Sequence, residues 1–402
     1  MPSLLDANIG LMYTKCAQTA RMSAMARGSV YKRSGSWAFR VDGGFHPETG
    51  KRRQILRQGF ATKKQAEAAL GDVLQAAAKN TVVAKSSMRL GEYLEEWLAG
   101  QRTQLRETTL RSYEIAIRRI AKRIGRVQLQ ALTPLQIEKF YADALVEGGK
   151  GGDRLAPKTV RNTHVVLRKA LADAERLGLV PRNAAAAARA PTARRPEFET
   201  WSSDELKEFF ASIRDDRLSG AFVLLATTGM RRGEALGLRW RDIDLDAAQL
   251  AVVQTLTTVE WEPIVTQPKT QRSRRTIYLD THTIGALKEH RRQQRQEQLA
   301  AGSAWDKSND FVFRDELGRA LHPDWFSREF NRLVRVAGVP RIRLHDLRHT
   351  YATLALKTGV HPKIVSERLG HATIAITLDL YSHVTPGIAR DAAEAVAATI
   401  FS

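Results

Sequence analysis

Four separated stretches in the second half of the chain carry side chains suited to work on a phosphate. TTGMRRGEALGLRW holds Arg231 and, three residues on, Glu234; QPKTQRSRR holds Lys269; LHDLRHTYATLAL holds His345 and Arg348; LGHATIAITLDLYSHV holds His371 and Tyr381. A guanidinium is always charged and forks onto two oxygens, so two of them suit the charge that builds on phosphorus under attack. A phenol has an ordinary pKa of about 10 and becomes a nucleophile at neutral pH only where positive neighbours favour the phenolate. Taken one at a time, each stretch has an ordinary reading. An Arg opening a helix is commonly a cap or surface charge, HDLRH reads as the polar edge of a helix with His345 and Arg348 on one face, and a Tyr near the end of a chain commonly packs.

Bringing these stretches together falls to a region that begins at Trp201 and is mainly helical by pattern. Helices are expected at 203–213, 218–228, 232–238, 281–299, 323–337, 345–358 and 361–369, with a tail helix after Thr385. AVVQTLTTVEW and RTIYLD alternate on either side of the basic turn QPKTQRSR, the pattern of one β-hairpin. Ahead of this region LGEYLEEWLAG, TTLRSYEIAIRRIAKRIG, TPLQIEKFYADAL and APKTVRNTHVVLRKALADAERLG show three- and four-residue apolar spacing and predict a four-helix bundle. Earlier still, 28–60 alternates, with Trp37, Phe39 and Val41 on one face, and reads as about three strands. Thr62 then caps a helix with Ala66, Ala69, Leu70, Val73 and Leu74 on its apolar side. The expected organisation is mainly α and multidomain (α+β): a sheet-plus-helix module at 28–80, a bundle at 86–190, and a mixed domain at 196–402. Residues 1–27 hold four methionines without periodicity, the mark of a disordered leader or an upstream start codon.

The chain has 402 residues, a formal charge of +20, and a single cysteine, Cys16. One cysteine excludes an intrachain disulfide framework and zinc sites built from two or more cysteines. Apolar runs fall short of the roughly 20 residues needed to cross a bilayer, which points to a cytoplasmic protein. The charge is uneven: ten basic against four acidic residues in 28–80, 21 against 11 in 86–195, and 28 against 27 in 196–402. A polyanion is therefore the expected partner of the N-terminal half, with a merely solvated basic surface as the alternative.

The ordered set TG-x-R-x-x-E, a hairpin Lys, H-x-x-R-H, LGH and a Tyr ten residues after that His resembles the tyrosine recombinase and phage-integrase family, over about 86–385. The resemblance implies cleavage and rejoining of DNA through a 3'-phosphotyrosine. Arg231 and Arg348 would bind the phosphate, Tyr381 attack it, and Lys269 protonate the departing 5' oxygen. His345 and His371 would bond the phosphate or share in proton transfer, and Glu234 orient the site. No metal or cofactor is called for, and no spaced acidic triad suggests a metal-dependent integrase.

The N-terminal sheet resembles an arm-type DNA-binding domain, with Arg40, Lys51, Arg52, Arg53 and Arg57 on or beside strands able to enter a major groove. The bundle would grip a core site through Arg118, Arg119, Lys122, Arg123, Lys158 and Arg161, while Arg272, Arg274 and Arg275 form a basic turn against backbone phosphates. Expected partners are double-stranded core and arm attachment sites, a homotetramer on DNA, and possible DNA-bending host factor and excisionase, all at the bacterial nucleoid. A topoisomerase of the same covalent chemistry, or a regulator that has lost catalysis, are the alternatives.

Overall fold

The structure is a computed structural model that describes residues 28–45, 52–78, 83, 86–193, 198–267, 274–371, 373–381, 394 and 397–401. Two compact units divide the chain, 1–195 and 196–402.

In the first unit, β1 (Gly28–Arg33), β2 (Ser36–Phe45) and β3 (Arg52–Phe60) form an antiparallel sheet in that order. Ser34 and Gly35 both have positive φ, the two-residue turn that matches strand twist. Helix α1 (Lys63–Ala78) covers one sheet face through Val73 and Leu70 against Phe39, Val41 and Ile55. Thr62 caps it, its Oγ1 accepting from the Gln65 N–H at 3.2 Å.

The bundle comprises α2 (Leu90–Gln101), α3 (Glu107–Ile124), α4 (Pro134–Glu147), α5 (Pro157–Arg176) and the short α6 (Ala184–Ala187). Its core holds Leu90, Leu94, Ile117, Ile120, Ile137, Phe140, Leu167 and Leu171. Each such side chain contributes roughly 1.5–3 kcal/mol of transfer free energy. Buried polar atoms are matched: the Tyr93 hydroxyl donates to the Ala170 carbonyl at 2.6 Å, and the Trp97 indole to Asp173 Oδ2 at 2.9 Å.

The second unit runs α7 (Ser203–Ser212), α8 (Ser219–Thr228), α9 (Arg232–Leu236), β4 (Ile243–Asp244), β5 (Gln249–Val252), β6 (Thr255–Val259), β7 (Glu262–Thr266), β8 (Arg275–Tyr278), α10 (Thr281–Ala301), α11 (Pro323–Ala337), α12 (Asp346–Lys357), α13 (Pro362–Leu369) and α14 (Ile374–Tyr381). Trp201, Phe209, Phe222, Phe326 and Phe330 form its aromatic centre. The Trp201 backbone N–H donates to Thr350 Oγ1 at 3.1 Å and its indole to the Pro340 carbonyl at 2.8 Å, fastening the segment ahead of α7 to α12 and to the loop before it.

The strands depart from the single hairpin expected. β5 does pair with β8, but the stretch between them folds back on itself as β6–β7, a second sheet whose turn places Glu260 and Trp261 at positive φ. EPIVT carries a Pro and little alternation, so its strand pairing is not legible in local pattern. No helix among the described residues is long and apolar enough to cross a membrane.

Candidate active site

Helix α8 ends at Gly229, left-handed at φ 65°, and the chain reopens at Arg231 in an extended conformation (φ −73°, ψ 148°) that starts α9. Glu234, on the first turn of α9, turns back on this junction. Its Oε2 accepts the Arg231 backbone N–H at 3.0 Å, and its Oε1 accepts Arg231 Nη1 at 2.7 Å. Arg348 arrives from α12, nearly fully buried, with Nη1 donating to the Gly229 carbonyl and Nη2 to the Leu369 carbonyl, both at 2.7 Å. Arg231 Nη2 donates to the next carbonyl along, that of Gly370, at 3.1 Å. Adjacent carbonyls at the end of α13 thus hold two guanidiniums delivered by distant segments.

Gly370 closes α13 in the left-handed conformation, φ 66°, and the next N–H, that of His371, returns to the Ser366 carbonyl at 3.0 Å. This ending sets the imidazole of His371 beside the arginines, where Nδ1 lies 2.8 Å from Oγ1 of Thr377. Thr377 is fully buried on α14, the helix that Tyr381 closes. His345 sits at the start of α12, its ring perpendicular to that of His349 at 5.2 Å, while His349 stacks on Phe198 at 4.5 Å.

The electrostatics are those of an anion site. Burial alone would raise the Glu234 carboxyl, yet the hydrogen bonds and charges of Arg275 and Arg231 hold it below the usual carboxylate range. Burial, and then the neighbouring Arg231, draw the Arg348 guanidinium down to about 9, so it stays charged at neutral pH. His345 is lowered to about 4 by desolvation, then by His349 and Arg348; His371 is lowered to about 3 by desolvation, then by Arg348 and Arg231. Both imidazoles are therefore neutral at pH 7.

Arg231, Glu234, His345, Arg348 and His371 come together as a group. Lys269, Arg272 and Lys51 lie outside the described residues, as does His383, and so do the side chains of Arg52, Arg53 and Tyr381. His322 and His361 serve as helix caps, accepting from the N–H groups of Asp324 and Lys363, each at 3.2 Å.

Arg275 requires correction. Grouped by sequence with a basic turn against DNA, it is instead buried in β8, its Nη2 donating to Glu234 Oε2 at 2.8 Å and its Nε to the Arg368 carbonyl at 2.6 Å. The strand's own alternation held the signal, because Arg275 shares a face with buried Ile277. Arg274, one residue earlier, is exposed and reaches Gln267.

Among the remaining cations, Arg118, Lys122, Lys158 and Arg161 are exposed on α3 and α5, and Arg119 is half-buried. Arg123 is held within the bundle by Glu147, 3.2 Å to Oε1 and 2.9 Å to the backbone carbonyl. Arg40 and Arg57 are both exposed but lie on opposite sheet faces: Arg57 is opposite Phe39, on the side covered by α1, and Arg40 is opposite Leu56. No group of three or more His, Cys, Asp or Glu side chains with metal-holding geometry occurs among the described residues.

Comparison with known proteins places the chain among enzymes that recombine DNA. Residues 201–387 match the model of the phage integrase family, 29–77 an arm DNA-binding domain, and 89–145 the phage integrase N-terminal SAM-like domain. A tyrosine recombinase XerC-like protein of Caldanaerobacter subterraneus subsp. tengcongensis is 31% identical over 393 residues, covering 92% of this chain and 98% of the relative. The ICEBs1 integrase of Bacillus subtilis is 25% identical, covering 90% and 96%. Among solved structures, the Tn1549 transposon integrase in complex with transposon right end DNA superposes with a TM-score of 0.66 at 20% identity, covering 77% of this chain and all of that one. A lambda integrase tetramer bound to a Holliday junction gives 0.56 at 20% identity, covering 87% and 94%. The chain belongs to the tyrosine recombinase family of phage and mobile-element integrases, and is a site-specific recombinase.

Proposed function

We propose that the second unit cleaves and rejoins DNA at attachment sites with Arg231 and Arg348 as the phosphate-binding pair and Tyr381 as nucleophile. The observation that carries this is the convergence of the two guanidiniums on the adjacent carbonyls of Leu369 and Gly370, with His371 next in the chain. A phosphate beside them meets two cations already fixed by these bonds, whose terminal nitrogens each keep a second N–H to offer as charge builds on its oxygens. The phenol oxygen of Tyr381 attacks phosphorus, and the bond from phosphorus to the 5' oxygen breaks. Lys269 gives its proton to that oxygen, releasing a 5' hydroxyl. The phenolic proton passes to His345, which is neutral at pH 7 and so free to accept it. The phosphotyrosine conserves the energy of the broken linkage, and a second 5' hydroxyl reverses the steps without ATP. Glu234 keeps Arg231 aimed.

In the same reading, the three-stranded sheet contacts arm sites and the bundle a core site, and the recombinase works as a tetramer on DNA in the cytoplasm, with DNA-bending and excision factors setting direction. The arm-domain match at 29–77, the DNA held by the Tn1549 integrase and the tetrameric lambda complex support it. The decisive test is a nicked duplex carrying the core of the attachment site, from which the cleaved fragment diffuses away. Wild type is expected to retain labelled DNA through a denaturing gel, with or without EDTA, and Tyr381→Phe to retain none. Retention by Tyr381→Phe would remove the tyrosine from the reaction.

A further inference from the structure

We infer that Arg275 is a positioning residue for strand cleavage, acting through Glu234 to set the orientation of Arg231. The inference rests on the phosphate-binding role proposed above for Arg231. Glu234 accepts four hydrogen bonds. Oε1 takes Arg231 Nη1 at 2.7 Å and Arg275 Nη1 at 3.2 Å, while Oε2 takes the Arg231 backbone N–H at 3.0 Å and Arg275 Nη2 at 2.8 Å. Both arginines therefore share one buried carboxylate, and Arg275 occupies it with a two-pronged grip. That grip matters to catalysis because a carboxylate and a phosphate compete for the same guanidinium. With Arg275 in place, each Glu234 oxygen already has a second donor, and the Arg231 guanidinium engages the carboxylate through Nη1 alone while its Nη2 points to the Gly370 carbonyl. Remove Arg275, and Glu234 is a buried anion short of two donors, for which the nearest remaining remedy is to draw in both nitrogens of Arg231. Arg231 would then face the carboxylate in place of the phosphate.

A second set of contacts reaches the other arginine. Arg275 Nε donates to the Arg368 carbonyl at 2.6 Å, and Arg368 Nη2 donates back to the Tyr278 carbonyl at 2.8 Å, so β8 and the end of α13 are tied in both directions. The carbonyls that follow, Leu369 and Gly370, are those that hold Arg348 and Arg231. Gly370 fits this packing closely: a Cβ there would stand 3.1 Å from Arg275 Nη1 and 3.3 Å from its Cζ. One side chain thus connects the phosphate-binding pair to β8.

Single-turnover cleavage of the nicked duplex by wild type, Arg275→Met, Glu234→Gln and the double variant, alongside equilibrium binding of the same duplex and thermal unfolding, tests this. Arg275→Met is expected to bind DNA as wild type does and to cleave on the order of 100-fold more slowly, the scale set by small misplacements of catalytic groups. Because the residue acts through Glu234, adding Arg275→Met to Glu234→Gln is expected to slow cleavage no further. A purely structural role would instead multiply the two effects, whereas a lowered unfolding temperature is expected of Arg275→Met under either reading, because Glu234 is left a buried anion short of donors. Arg275→Lys, which keeps the charge and loses the fork, is expected to be nearly as slow as Arg275→Met; should Arg275→Met not fold, Arg275→Lys and the double variant carry the same comparison. Wild-type rates in Arg275→Met and Arg275→Lys, or full multiplication in the double variant, overturn the inference. Covalent retention by the Tyr381→Phe control would instead strike the reading on which it rests.

Discussion

A histidine that stays neutral in a nest of arginines leaves a signature in how the protein responds to acid. In an unfolded chain an imidazole takes its proton near pH 6.5, whereas His345 and His371 in the folded site are held down to about 4 and about 3. Between pH 6.5 and about 4 the unfolded state therefore binds more protons than the folded one, so stability falls as the pH falls; above 6.5 the two states bind alike and the effect vanishes. Thermal unfolding followed from pH 8 to 4 is expected to show this acid slope, and His371→Gln to flatten it. An unchanged slope in His371→Gln would mean the ring titrates normally in the fold. These two histidines, Arg231, Glu234 and Arg348 were singled out in sequence because their motifs, each ordinary alone, together resemble an ordered family set, and the structure brings the five side chains into one group. Arg275 was passed over, because the alternation that sets it on the face of Ile277 is only four residues long and its carboxylate partner lies 41 positions away.

At the level of elements, the site depends on two helix endings that only glycine satisfies. Gly229 has φ 65°, and a Cβ there would run into Leu369 and stand 2.6 Å from the Tyr351 ring. Its carbonyl also anchors Arg348. Gly359 offers the comparison, with φ 82° and open space around its missing Cβ. Left-handed strain alone costs an ordinary residue about 1–3 kcal/mol, or roughly 2–4 °C per kcal/mol in a domain of this size. Gly359→Ala is expected to show that loss and no more, while Gly229→Ala unfolds at a distinctly lower temperature and cleaves poorly. Equal unfolding temperatures would show that the Leu369 and Tyr351 side chains yield without cost. Helix positions were largely legible from periodicity and from caps such as Thr62, since both are written within a few residues. The β6–β7 sheet was not, since its turn, Glu260-Trp261, holds two residues at positive φ without the Asn or Gly that usually announces one.

Over the whole molecule, the net charge of +20 predicts an interaction with DNA that salt weakens steeply, and the structure refines which cations contribute. Neutralising a phosphate releases counterions only if the cation is available to it. Arg118, Lys122, Lys158 and Arg161 are exposed on α3 and α5, whereas Arg123, on the same helix as the first two, has its guanidinium held by Glu147 at 3.2 Å and 2.9 Å. In a plot of log affinity against log salt concentration, replacing any one of the four exposed cations by Ala is expected to reduce the slope by about 0.9 where it meets a phosphate. Arg123→Ala is expected to leave the slope as it is and to lower the unfolding temperature slightly, since a partly exposed pair contributes at most about 1 kcal/mol. Composition alone treats these five residues as equivalent, so the measurement separates the two views. If Arg123→Ala shifts the slope as much as Arg118→Ala or Lys122→Ala, the ion pair opens when DNA binds and the availability argument is wrong. If none of the four exposed cations shifts it, α3 and α5 do not form the phosphate-facing surface.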